Sequence, residues 1–172
     1  MNASLLVSVV GPDRPGLVNQ LSRVITDAGG NWEGSRLINL GGQFAGIVQV
    51  VAQEESLDQL RAQLDQLAGM GLTVSVIHTG GQAPELESNG EILILEVVGQ
   101  DRPGIVAAIS ETLANEGVNV IELATDCRDA PMSGERLFHT TATVSVPASV
   151  DSDDLRQKIE EIAGDLMVEI GR

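Results

Sequence analysis

Two pairs of adjacent opposite charges carry the chemistry this sequence could do: Asp13-Arg14 and Asp101-Arg102, 88 positions apart. Each pair lies in a turn that the chain writes twice, Gly11-Pro12-Asp13-Arg14-Pro15-Gly16 and Gly99-Gln100-Asp101-Arg102-Pro103-Gly104. A helical pattern follows each copy. The N-terminus of a helix offers unpaired amides and a partial positive charge to a carboxylate, while a neighbouring aspartate can accept from an ammonium group. Both ends of a zwitterion would then be served. The same residues also make good turn chemistry without any ligand, the aspartate accepting backbone amides and the arginine pairing on the surface. The sequence leaves these two readings side by side.

Other reactive side chains form weaker patterns. His78 and His139 lack a second histidine at metal-ligand spacing, which argues against a metal site. Cys127 and His139 could face each other across a hairpin as a thiolate pair, but no third orienting group accompanies them and chance placement on a sheet is the preferred reading. Gly41-Gly42 falls between two strand-like runs and no Lys-Ser/Thr follows it, so it is no phosphate cradle. Asp151, Asp153 and Asp154 stand where a helix begins, and negative charge there complements the helix dipole. No catalytic residue is assigned.

The elements that must position the two charged turns follow from hydrophobic spacing. A β-branched and aliphatic run precedes each turn, Leu5 to Val10 and Ile92 to Val98, and reads as a buried strand. Apolar residues at Leu17, Val18, Leu21, Val24 and Ile25, and at Ile105, Val106, Ile109 and Leu113, recur at helical spacing. Pro15 and Pro103 are expected at the first helical position, where a missing amide hydrogen costs nothing. Trp32 to Leu40, the Gly41-Gly42 turn, and Phe44 to Ala52 make a hairpin, with Gly46 as a bulge or a point of close approach and Trp32 as either core or interface. A second helix with Leu57, Leu60, Leu64 and Leu67 and a strand from Leu72 to Ile77 complete a β-α-β-β-α-β order. The second half repeats it, with Arg128 to Glu135, including Pro131, as a longer hairpin loop. The expected organisation is a first module over 1–79, a linker over 80–90 and a second module over 91–172. Because a strand-helix-strand crossover is right-handed, strands one and three of each module must be neighbours. Each module is therefore expected to be a ferredoxin-like, α+β unit: a four-stranded antiparallel sheet with two helices on one face.

Composition narrows the functional classes. The chain is 42% apolar and 20% charged, ordinary for a folded protein, and ten basic against 25 acidic residues give a net charge of −15. Nucleic-acid phosphates would be repelled by most of such a surface, and three aromatic residues, Trp32, Phe44 and Phe138, provide no stacking platform. The single cysteine excludes an intrachain disulfide. With no targeting segment and no apolar run near the ~20 residues a membrane span needs, the cytoplasm is the expected location.

The Asp-Arg-Pro-Gly turn between strand and helix, inside a β-α-β-β-α-β unit of this size, resembles the ACT domain, a small-molecule sensing module of amino-acid metabolism. Both halves carry the resemblance. The combination of Gly11 to Val18 with Ser35-Arg36-Leu37 and Phe44 is similar to the tandem-ACT regulators of the glycine cleavage system. The resemblance implies modules that associate, within the chain or as a homodimer, with an amino-acid effector at their interface. The implied ligand-binding positions are Gly11, Asp13, Arg14, Pro15, Gly16 and Asn31, and Gly99, Asp101, Arg102, Pro103, Gly104 and Asn119. Asn31 and Asn119, each close behind a glycine, read equally well as turn residues. Glycine is the implied effector, with no cofactor or metal, and a LysR-type activator is the implied protein partner in place of DNA. Some amino-acid-binding members carry a histidine two residues before the aspartate, where Gly11 and Gly99 stand here. The alternative function is a regulatory subunit or interaction module of an amino-acid metabolic enzyme.

Overall fold

A computed structural model describes residues 1–79, 90–130 and 134–172. The chain divides into two compact units, Met1–Glu85 and Leu86–Arg172. The first contains β1 (Asn2–Pro12), α1 (Leu17–Asp27), β2 (Asn31–Leu40), β3 (Gln43–Gln53), α2 (Leu57–Gln66) and β4 (Thr73–His78). In the second, the same order runs β5 (Gly90–Gln100), α3 (Ile105–Asn115), β6 (Asn119–Asp129), β7 (Arg136–Pro147), α4 (Ser152–Glu160) and β8 (Met167–Gly171). The segment read as a linker lies outside the described residues except for Gly90, which opens β5. Pro131 of the hairpin loop also lies outside them, while Arg128 and Asp129 extend β6.

Both sheets are antiparallel, ordered β2-β3-β1-β4 and β6-β7-β5-β8. The first and third strands of each unit are thus neighbours, as right-handed crossovers require. Alternation in β1 sends Leu5, Val7 and Val9 to one face, where Leu17, Leu21 and Ile25 of α1 and Leu60 and Leu64 of α2 close over them. Trp32 and Leu37 pack against this core from β2, so the tryptophan serves as packing. In the second unit Leu93, Leu95 and Val97 meet Ile105, Ile109 and Leu113 of α3 and Leu155 and Ile159 of α4. The opposite faces keep exposed aliphatics, among them Val10, Ile47, Ile92 and Ile94. Along the outer edge, all eleven residues of β6 are exposed.

Local details follow from backbone sterics. Gly46 is a point of close approach: an added Cβ would collide with the Arg36 carbonyl oxygen and come within 2.8 Å of the Leu37 Cα. Asp151 caps α4, its carboxylate accepting from the Asp153 and Asp154 amides at 2.9 and 3.1 Å. The two helices that follow the charged turns begin later than the prolines suggest. Gly16 (φ 91°) and Gly104 (φ 88°) occupy the N-cap positions, so Pro15 and Pro103 stand outside the helices. A left-handed residue is what redirects the chain there, and a Cβ at Gly16 would meet nothing within 4 Å. Those glycines serve backbone conformation, not close approach.

Candidate functional site

Each charged turn forms a corner between the end of a sheet and the start of a helix. In the first, the Asp13 amide donates to the Gly42 carbonyl at 3.0 Å, which ties the corner to the β2-β3 hairpin. Asn39, near the end of β2, donates from Nδ2 to the Asp13 carboxylate. Beyond the turn, the Gln20 amide reaches back to the Gly16 carbonyl at 2.9 Å and no side chain caps the first turn of α1. Leu17, Val18 and Asn19 therefore begin the helix with amides that no cap side chain covers. Arg14 is exposed and, among the described residues, has no hydrogen-bond or ion-pair partner.

The second corner repeats the backbone and changes the partners. The Asp101 amide donates to the Arg136 carbonyl at 2.9 Å, and Arg136 Nε lies 3.4 Å from the Asp101 carboxylate. Arg102 Nη1 donates to both oxygens of Asp165, at 2.9 and 3.1 Å, and the Gln100 amide donates to Asp165 Oδ2 at 2.7 Å. The Gln100 amide, reinforced by the Arg102 guanidinium, outweighs desolvation and holds the Asp165 carboxyl below the usual carboxylate range. Ile105 also donates its amide to the Arg102 carbonyl, at 3.4 Å, a bond without a counterpart at Leu17 among the described residues.

Gly11 and Gly99 leave no room for a side chain. A Cβ at Gly11 would come within 2.6 Å of the Gly71 carbonyl oxygen and 2.7 Å of Leu72 Cδ2. One at Gly99 would collide with Leu166 and approach Asp165 Oδ2 to 3.1 Å. These two glycines let the strand that carries the corner lie against the segment entering β4 or β8.

The structure brings Asp13, Arg14, Pro15 and Gly16 together, and likewise Asp101, Arg102, Pro103 and Gly104, but it separates the asparagines from them. Asn31 lies opposite Val51 at the start of β2, whereas the corner adjoins its far end, where Leu40 lies opposite Gln43. At ~3.3 Å per residue the strand puts about 30 Å between them. Asn119, opposite Ser145, is removed from the second corner in the same way. Neither asparagine adopts a positive φ; Gly29 and Gly117 take that conformation instead. A ligand the size of an amino acid cannot touch both ends of one module.

Cys127 and His139 do not face each other. Cys127 is opposite Phe138, and His139 is opposite Asp126, so alternation along the strands turns the thiol and the imidazole to different faces. Among the described residues no three His, Cys, Asp or Glu side chains gather to hold a metal ion. No described helix is long and apolar enough to cross a membrane.

Asp165, Arg136 and Asn39 complete the corners and were not singled out from sequence. Asp165 carries the one available signal: it follows Gly164 where the two repeats differ in length, the first half reading Gly69-Met70-Gly71-Leu72 and the second Gly164-Asp165-Leu166.

Comparison with known proteins bears on the family and the fold. Residues 3–76 and residues 93–164 each match a family model described as an ACT domain. The chain is 28% identical over 171 residues to the glycine cleavage system transcriptional repressor of Escherichia coli K12, covering 94% of this chain and 85% of that protein. A crystal structure of a protein of unknown function from Galdieria sulphuraria superposes with a TM-score of 0.83 at 30% identity, covering 99% of this chain and 98% of that one. Another, assigned to a glycine cleavage system transcriptional repressor, superposes at 0.69 with 18% identity over 99% and 98% of the two chains, and shows the shared fold alone. Two β-α-β-β-α-β units with matching corners, each recognised by its own family model, place this chain in the ACT-domain family as a tandem pair.

Proposed function

We propose that this protein is an amino-acid-responsive regulator of glycine cleavage gene expression that acts in the cytoplasm by binding a LysR-type activator and not DNA. Kinship with ACT domains and with a transcriptional repressor supports a regulatory role. The observation that carries the reading is the correspondence with the E. coli repressor across both modules, over 94% of the chain. A net charge of −15 is consistent with it, since such a body disfavours phosphates and suits a partner protein with a basic surface.

The effector is a small amino acid, with glycine as the first candidate, held at a corner by the helix N-terminus, the turn arginine and the turn aspartate. The second corner supports the arginine's part in this by example, because there Arg102 holds a carboxylate, that of Asp165. Asn31 and Asn119 contribute only where another module brings its strand end to a corner, as in a homodimer. Binding would shift the affinity for the protein partner through linkage, each ligand altering the other's affinity by the same factor.

Two measurements test the reading. At about 100 times its dissociation constant an effector stabilises the fold by ~2.7 kcal/mol, so a thermal-shift screen of the proteinogenic amino acids should show one or a few that raise the melting temperature. A tagged chain should co-purify with a LysR-type activator, and the effector should change the yield. Silence in the screen at millimolar concentrations, together with recovery of a biosynthetic enzyme in place of the activator, would identify an interaction module of metabolism.

A further inference from the structure

The two corners share a backbone but differ in how their charges are satisfied. In the second module both turn charges are engaged within the protein: Asp101 lies 3.4 Å from Arg136, and Arg102 donates to Asp165 at 2.9 Å. Asp165 also accepts from the Gln100 amide at 2.7 Å. A side-chain carboxylate therefore lies where a turn amide and a guanidinium converge, the two kinds of donor that an amino acid's carboxylate requires. In the first module Asp13 accepts from the neutral Asn39, and among the described residues neither Asp13 nor Arg14 has an ion-pair partner.

The sequence difference behind this is local. Thr73 pairs with Val10 and Met167 pairs with Val98, so the residue two positions before each strand start is Gly71 in the first module and Asp165 in the second. Gly71, with φ 82°, supplies no carboxylate, and neither does Met70 before it. Position 12 changes in concert. Gln100 has an amide that needs an acceptor, whereas Pro12 has none to satisfy.

We infer that the corners have divided their roles: the first receives the carboxylate of a small amino acid through Arg14 and the amides of α1, and the second is closed from within by Asp165. This rests on the amino-acid reading of the corners given above and assigns that reading to one of them. Among the described residues neither Arg14 nor Asp13 has an ion-pair partner, and the two charges together match a zwitterion. At the second corner a carboxylate that is to use Arg102 must compete with Asp165 for that guanidinium. It must also overcome the repulsion of Asp165 itself.

The test uses the full chain and isothermal titration with glycine, then with the other proteinogenic amino acids. One equivalent per chain is expected. Arg14→Ala should weaken binding about tenfold or more, the loss typical of a hydrogen bond to a charged group, while Arg102→Ala leaves the affinity unchanged. Asp165→Ala should create a second, weaker equivalent. Amide chemical shifts read the same division without any substitution: resonances of residues 13–20 should move on titration and those of 101–108 should not. Two equivalents in the wild-type chain, or loss of binding in Arg102→Ala with Arg14→Ala unaffected, would overturn the division while leaving the amino-acid reading intact. Absence of binding to every amino acid, in the wild type and in Asp165→Ala, would sink that reading and the division with it.

Discussion

Arg102 Nη1 lies 2.9 Å from Asp165 Oδ1, and this contact joins the turn before α3 to the segment that enters β8. The same carboxylate holds the Gln100 amide, so one side chain fastens two parts of the module that are far apart in sequence.

Acid should loosen that fastening. The folded-state pKa of Asp165 is lowered, chiefly by the Gln100 amide and then by Arg102, so its stabilising contribution is complete above the unfolded pKa of about 3.9 and is lost as the pH falls through the lower folded value. Amide hydrogen exchange followed downward from pH 5 should show protection at residues 98–102 falling as Asp165 takes up its proton. In Asp165→Asn that acid-dependent step should disappear.

Gly46→Ala should destabilise the first module by about 3 kcal/mol, because the new methyl would press on backbone atoms of Arg36 and Leu37 that cannot rotate away. Gly34→Ala is the control, since its Cβ would meet only Gln49 Oε1, at 3.9 Å. Denaturant midpoints of the two variants should separate clearly, with Gly34→Ala close to the parent protein.

Trp32 is the single tryptophan and packs against the first core, which makes its emission a reporter of that module. Leu64→Ala, at a fully buried site of the first core, should lower stability by about 2–5 kcal/mol and shift the fluorescence transition. Leu155→Ala removes an equivalent side chain from the second core and should shift the circular-dichroism transition while leaving the tryptophan signal in place. A shift of the fluorescence midpoint by Leu155→Ala as large as that by Leu64→Ala would show that the cores melt as one.

Asp151→Ala should cost about 1 kcal/mol, the usual loss when a capping carboxylate leaves two helix amides without an acceptor. Asp151→Asn retains a capping oxygen and should recover most of it. Thermal melts of the two variants at neutral pH distinguish the cap from a general effect of charge.

Spacing rules carried the reading of the fold because they describe interactions between near neighbours in the chain. The period of two in β1 and the period near four in α1 already divide core from surface, and the repeated turn fixes the strand-helix junction. Helix starts were displaced, since Pro15 suits a first helical position but Gly16 must first turn left-handed before Leu17 can begin. The corners were less legible than the elements. Partners such as Asp165 for Arg102 and Asn39 for Asp13 depend on strand register across long separations, which no local pattern encodes. The placement of Asn31 has the same cause: its type and its glycine neighbour suggest a turn residue, the family resemblance implies a ligand contact, and only the pairing with Val51 puts it at the far end of the sheet.

The bare edge at β6 makes salt a variable in handling this protein. Asp126 and Asp129 against Arg128 leave that part of the strand with a net negative charge, and two such rims meeting edge to edge repel. At ~0.01 M ionic strength that repulsion reaches about 30 Å, but at ~1 M it fades within about 3 Å. Concentrated solutions should therefore stay clear in dilute buffer and turn cloudy when salted, as outward-facing amides and carbonyls of neighbouring copies begin to pair.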